Sequence, residues 1–174
     1  MNAVEHIVEV YFRICRDCFT MSDVKVQGGN NRQFDLLAVD MKGGNHYHVE
    51  SCVTHSRKFQ PSKDVIKGYF DRKFLGAPRK NDGKDYRQQI QETYKGVGLQ
   101  PEPMQRIWVQ WTTSYLKDWE RFLDEYYRDT GVRVQSWPLK DKIIPELQEK
   151  IATGNYDDEI LRTFSLLKSY SLPE

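Results

Sequence analysis

Apolar side chains recur at Val4, Ile7, Val8, Tyr11, Cys15, Cys18 and Phe19, the spacing of a helical stripe over residues 3–19. Asp23–Gln27 reads as a short strand closed by Gly28-Gly29-Asn30-Asn31. Gln33–Asp40 and His46–Val53 are rich in apolar and β-branched residues, and Met41-Lys42-Gly43-Gly44 between them is a turn signal, which predicts a β-hairpin. Lys63–Phe74 returns to helical spacing at Val65, Ile66, Tyr69, Phe70 and Phe74, with Ser62 as its N-cap. Gly76-Ala77-Pro78 to Gly83 breaks that helix, and Tyr86–Tyr94 starts another, stopped by Gly96, Gly98 and Pro101. Arg106–Thr112 is a buried-looking strand. Ser114 is expected to cap a helix reaching Tyr127, with Leu116, Trp119, Phe122, Leu123 and Tyr126 on one face. Val132–Gln135 is a last short strand, and two helices follow at about 140–152 and 157–170, the second with Ile160, Leu161, Phe164 and Leu167 on its apolar side. Strands interleaved with helices predict an α/β layer fold around a mixed sheet, as one domain with its core over about 3–135 and a helical extension over about 140–170.

Composition narrows the class without changing that picture. At 174 residues the chain can bury roughly 70% of the surface its unfolded form exposes. No run approaches the roughly 20 apolar residues that span a bilayer, so no membrane partner is expected. The first residues carry acids rather than a basic flank, which speaks against a signal peptide. Cys15, Cys18 and Cys52 form neither an even disulfide framework nor a zinc knuckle, and a reducing cytoplasm is the expected compartment. Cys15 and Cys18 are expected to face the core from the first helix. Trp108, Trp111, Trp119 and Trp137 are read as core residues.

The net charge of +1 hides an uneven distribution. Between His55 and Lys95 stand eleven Lys and Arg against five acids, with aromatics interleaved at Phe59, Tyr69, Phe70, Phe74, Tyr86 and Tyr94. Charge for a backbone and rings for stacking suit a phosphate-tracking surface. Its candidate contacts are Arg57, Lys58, Lys67, Arg72, Lys73, Arg79 and Lys80, and the expected partner is nucleic acid, DNA in preference to RNA.

The hairpin carries the candidate chemistry. If its turn centres on Lys42-Gly43, pairing is symmetric about that point and Asp35 falls opposite Glu50. Directly opposed residues share a face with Cβ atoms roughly 4.5–5.5 Å apart. Two carboxylates that close repel unless a cation lies between them, so the pair reads as half of a divalent-metal site.

The run FDLLAVD, a turn and HVESC, preceded by a helix and followed by helix and strand, resembles the PD-(D/E)XK nuclease superfamily, the restriction-endonuclease-like fold. The resemblance covers about residues 3–135. It implies a restriction-endonuclease-like mixed sheet in αβββαβ order, with the C-terminal helices as an addition. The superfamily motif is an Asp on the second core strand, then Glu-x-Lys on the third. Asp35 and Glu50 match the two acids, and Cys52 stands at the lysine position. The resemblance implies a divalent-metal-dependent nucleic-acid phosphodiesterase, with Mg²⁺ or Mn²⁺ held by Asp35 and Glu50. Many members add an acid from the first helix, for which Glu5 and Glu9, at the edge of the apolar stripe, are candidates. Many members also act as homodimers to cut two strands.

Phosphodiester cleavage builds charge on the phosphorus oxygens and needs an activated water, both of which a carboxylate-held Mg²⁺ supplies. In the family the lysine orients that water and offsets charge, and losing one such group costs roughly 10²–10³ in rate. Cysteine cannot do this, because its thiol is a weak donor and its thiolate has the wrong sign. Three readings of Cys52 stand open. A cation from the following helix replaces the lysine, with Lys58, Lys63 and Lys67 as candidates. Or the site is degenerate and the fold serves as a nucleic-acid-binding or protein-scaffolding module. Or Cys52 takes part in different chemistry, as a ligand of a softer metal or as a nucleophilic thiol with His48 or His55 as its base; His46, His48, Glu50 and Cys52 alternate along one strand face.

Overall fold

The computed structural model describes residues 2–29, 31–53, 60–78, 83–102 and 104–170. Five strands form one mixed sheet in chain order: β1 (Cys18–Lys25), β2 (Gln33–Asp40), β3 (His46–Cys52), β4 (Gln105–Gln110) and β5 (Val134–Pro138). The first three make an antiparallel meander, and β3, β4 and β5 run parallel. Helix α1 (Ala3–Cys15), α5 (Ile144–Lys150) and α6 (Glu159–Tyr170) cover one face through Val8, Tyr11, Phe12, Leu147 and Phe164. Helices α2 (Lys63–Lys73), α3 (Arg87–Gly96) and α4 (Trp119–Thr130) cover the other, with α2 and α4 over β4 and β5 and α3 over β1 and β2. Parallel strands need long crossovers, and α2–α3 and α4 supply them.

The hairpin turn is built by one acid and one glycine. The Asp40 carboxylate accepts the backbone N–H groups of Lys42 (2.8 Å) and Gly43 (3.0 Å), and Gly44 takes the left-handed φ of 63° that closes the turn. The resulting register pairs Leu36 with Val49 and Leu37 with His48, symmetric about Lys42-Gly43. Helix α2 starts where its cap predicts, with the Ser62 hydroxyl accepting the Val65 N–H at 3.4 Å.

Several boundaries depart from the sequence pattern, the first strand among them, which spans Cys18–Lys25 rather than Asp23–Gln27. The first helix ends at Cys15, because Asp17 turns the chain with a φ of 51° and Cys18 and Phe19 already pair with Asp40 and Val39. Cys18 is therefore a buried strand residue rather than part of the helical stripe. Helix α4 begins at Trp119 instead of near Ser114, after a left-handed Asp118. Strand β4 stops at Gln110, which leaves Trp111 half exposed, while Trp108 and Trp119 are buried and Trp137 packs against the α1 face of the core. The last strand is shifted to Val134–Pro138, and a π-helical turn (Leu139–Ile143) leads into α5, which carries Pro145 in its first turn. Among the described residues no helix is long and apolar enough to cross a membrane.

Candidate active site

Strands β2 and β3 part company just where the acids stand. Their ladder ends at Leu36–Val49, beyond which β2 stays on β1 (Phe34 with Val24) and β3 stays on β4 (Glu50 with Trp108). In that opening the Asp35 carboxylate accepts the Ser51 backbone N–H at 2.8 Å, a donor the hairpin ladder no longer uses.

Lys73, at the C-terminal end of α2, closes the site. Its Nζ lies 3.2 Å from Asp35 Oδ1 and pairs directly with Glu50 Oε2. Glu50 is fully buried, the Asp35 side chain is 12% exposed and that of Lys73 35%. Burial, with the Glu50 charge next, pushes the Asp35 carboxyl up; burial pushes Glu50 up to about 6 against the pull of Lys73. Burial lowers Lys73, but the two carboxylates outweigh it and hold the ammonium protonated above its usual range. An ammonium between two desolvated carboxylates is the arrangement that like charges this close require.

A second chain of contacts fixes Glu50 from the sheet side. His48 Nε2 lies 2.7 Å from Glu50 Oε1, and His48 Nδ1 lies 2.6 Å from the Tyr94 hydroxyl of α3. Phe34 and Phe74 wall the imidazole, with ring centroids at 4.4 and 4.9 Å. Burial first, then the charges of Arg106 and Lys73, holds His48 well below its usual range, so the ring is neutral. An ionised Glu50 only accepts, so Nε2 carries the proton, Nδ1 accepts, and Tyr94 donates. Both ring nitrogens are engaged. His48 is therefore no free metal ligand, and its role as the brace of Glu50 is one the strand pattern alone does not reveal.

The remaining expected residues sort by distance. Lys63 donates to the Asp118 carbonyl at 3.2 Å, and Lys67 pairs with Asp71, so neither reaches the carboxylates. The reason is direction: α2 runs back along β3, with Phe70 against Trp108 and Phe74 against His48, so its start lies beyond Cys52. The first cation level with Glu50 is Lys73. The signal was present in the sequence, since Lys73 sits three residues past Phe70 and seven past Ile66, on the buried side. His55, Arg57, Lys58, Arg79 and Lys80 lie outside the described residues.

Glu5 is held in the α1 capping box, its carboxylate accepting from the Asn2 backbone and side chain, and it lines a narrow crevice with Val8, Asp35 and Ser51. Glu9 instead accepts from Thr20 Oγ1 at 3.0 Å, away from the pair. Cys52 packs against the Trp108 cluster, and burial followed by the Asp35 charge pushes its thiol up, so it is no thiolate nucleophile. His46 accepts the Gln100 N–H through Nδ1 at 2.9 Å, apart from the site.

The donor chemistry suits a hard cation. Asp35 and Glu50 would supply the hard oxygen donors that Mg²⁺ or Mn²⁺ takes, whereas among the described residues no thiolate or free imidazole faces the pair for zinc. Among the described residues no group of three or more His, Cys, Asp or Glu is arranged so that it could hold a metal ion.

The chain matches no family model and no curated protein. It is similar to a solved structure described as the crystal structure of a protein of unknown function, AF1548, with 18% identity and a TM-score of 0.47. The match covers 84% of this chain, and the chain spans 65% of the length of that protein.

Proposed function

We propose that the chain is a divalent-metal-dependent nucleic-acid phosphodiesterase of the PD-(D/E)XK type, in which Lys73 supplies from α2 the ammonium that the strand lacks at Cys52. That reading is supported by the meander followed by two parallel strands, with acids where β2 and β3 diverge, an order that resembles the restriction-endonuclease-like one. The observation that carries it is the contact of Lys73 Nζ with both Asp35 and Glu50.

Asp35 and Glu50 would hold the ion, which when bound polarises the scissile phosphate and lowers the pKa of its water. Asp35 is aimed by the Ser51 N–H, and Glu50 by the neutral His48. Lys73, protonated and partly exposed, orients the attacking water and offsets charge that grows on the phosphate oxygens. Cys52, as a neutral thiol, takes no proton.

The ion pair favours a second reading in its own right. Lys73 already neutralises the carboxylates, which also fits a nucleic-acid-binding or scaffolding relative with no metal chemistry. Labelled DNA and RNA with Mg²⁺, Mn²⁺ or EDTA separate the two. Cutting that needs metal and disappears in Glu50→Gln supports the phosphodiesterase; absence of cutting in every condition supports the binding module.

A further inference from the structure

Lys73 lies at the wall of a cleft of about 560 Å³ between the β1–β2 turn, the end of α2 and α3. The chemistry of that cleft is uneven. Arg72 and Lys73 make one side cationic, the exposed amides of Asn31 and Gln33 line another, and Phe34 and Ile90 lie at the floor. The Arg72 guanidinium lies over the Tyr69 ring, its carbon 4.9 Å from the centroid. Buried Arg32 pins the end of α2 by donating to the Arg72 and Ala77 carbonyls at 2.7 and 2.8 Å, so the cationic side is held in place.

Gln33 Nε2 donates to Asp23 Oδ1 at 3.2 Å, which leaves its amide oxygen, with the Asn31 amide, at the cleft, and a surface that tracks only phosphates has no use for amides beside an apolar floor. A base turned out of its stack has: it offers a flat face to a guanidinium plane and hydrogen-bonding edges to amides. The volume falls in the range of sites that enclose one small ligand. A paired duplex keeps its base faces stacked inside and offers only base edges in its grooves and phosphates, with no flat face for a guanidinium. We infer that the cleft takes one unpaired nucleotide of a nucleic acid, its base on Arg72 between the amides and its phosphate at Lys73. The identity of the polymer rests on the phosphodiesterase reading; the preference for an unpaired nucleotide rests on the cleft.

The test is binding by the wild-type protein in EDTA, where metal-dependent cutting is suppressed, to a labelled short single strand and to a blunt duplex of the same sequence. The single strand should bind roughly tenfold tighter, within the range that stacking of a base on a side chain provides. Gln33→Trp, which fills the cleft from an exposed strand position, should remove that advantage with an unchanged melting temperature. Arg72→Ala serves the same purpose if the tryptophan variant does not fold. Deoxyadenosine monophosphate should compete about tenfold better than deoxyribose 5-phosphate. Equal binding of strand and duplex, indifference to Gln33→Trp, or equal competition by the bare sugar phosphate would each overturn the inference. The two readings fail separately. Preference for the single strand without any cutting in Mn²⁺ keeps the cleft and removes the phosphodiesterase. Metal-dependent cutting together with equal binding of single strand and duplex in EDTA does the reverse.

Discussion

Lys73→Met should destabilise the protein in a way that depends on pH. The substitution keeps most of the side-chain stem and removes the charge, leaving Glu50 with no exposure and Asp35 with 12% exposure beside each other. Removing one partner of a buried ion pair costs about 3–5 kcal/mol. Lys73 is 35% exposed, so solvent already screens part of its field and the cost falls below that range, to about 2–3 kcal/mol at pH 8. For a chain of this size that is a fall of roughly 5–10 °C in Tm. The sign follows from Glu50. Its carboxyl is raised from 4.5 to about 6, so its favourable contribution is complete below the unfolded value and is lost as pH rises through the folded one. Without Lys73 the folded value climbs further. At pH 5 Glu50 is therefore protonated in the variant and most of the deficit disappears. Thermal unfolding of both proteins at pH 5 and pH 8 measures this. A deficit of equal size at the two pH values, or none at pH 8, would refute the electrostatic account of the site.

Three further outcomes follow from the same geometry. Tyr94→Phe keeps the stack on Phe34 but removes the donor to His48 Nδ1, and should cost about 1–3 kcal/mol in urea unfolding and weaken Mn²⁺-induced stabilisation about tenfold; unchanged values would remove the brace from the account. Mn²⁺ binding, followed by the metal-induced shift in Tm, should strengthen between pH 5 and pH 7 as Glu50 ionises near 6, and a flat profile would contradict that assignment. Cys52→Ala should leave any cutting rate within about twofold, since a neutral thiol contributes no charge, and a loss near 10²-fold would return Cys52 to the chemistry.

The hairpin was legible because each part of it is local. Two strands of apolar alternation, an Asp40 that satisfies its own turn and a Gly44 with left-handed φ together set the register, which brings Asp35 and Glu50 to the end of the β2–β3 ladder, one step past its last pair. Helix α2 was legible for the same reason, through Ser62 and its apolar spacing. What the sequence hides is set by direction and partners. Cys18 and Phe19 satisfy both a helical and a strand period, and only pairing with β2 decides between them. The start of α4 rests on Asp118, whose side chain makes no cap. In the sequence Lys73 stands only among the candidate nucleic-acid contacts, because closeness along the chain favours Lys63 and Lys67; the antiparallel return of α2 along β3 makes the distant lysine the near one. His48 reads as an ordinary strand residue until Tyr94, 46 positions away, is seen at its other nitrogen.

The most direct test of Lys73 as the displaced motif lysine moves the charge back to the strand. Metal-dependent cutting should fall about 10²–10³-fold in Lys73→Met. It should recover at least about tenfold in the double variant Cys52→Lys/Lys73→Met, where an ammonium again reaches Asp35 and Glu50. Wild-type rates in Lys73→Met, or a double variant as inactive as the single one, would contradict the assignment.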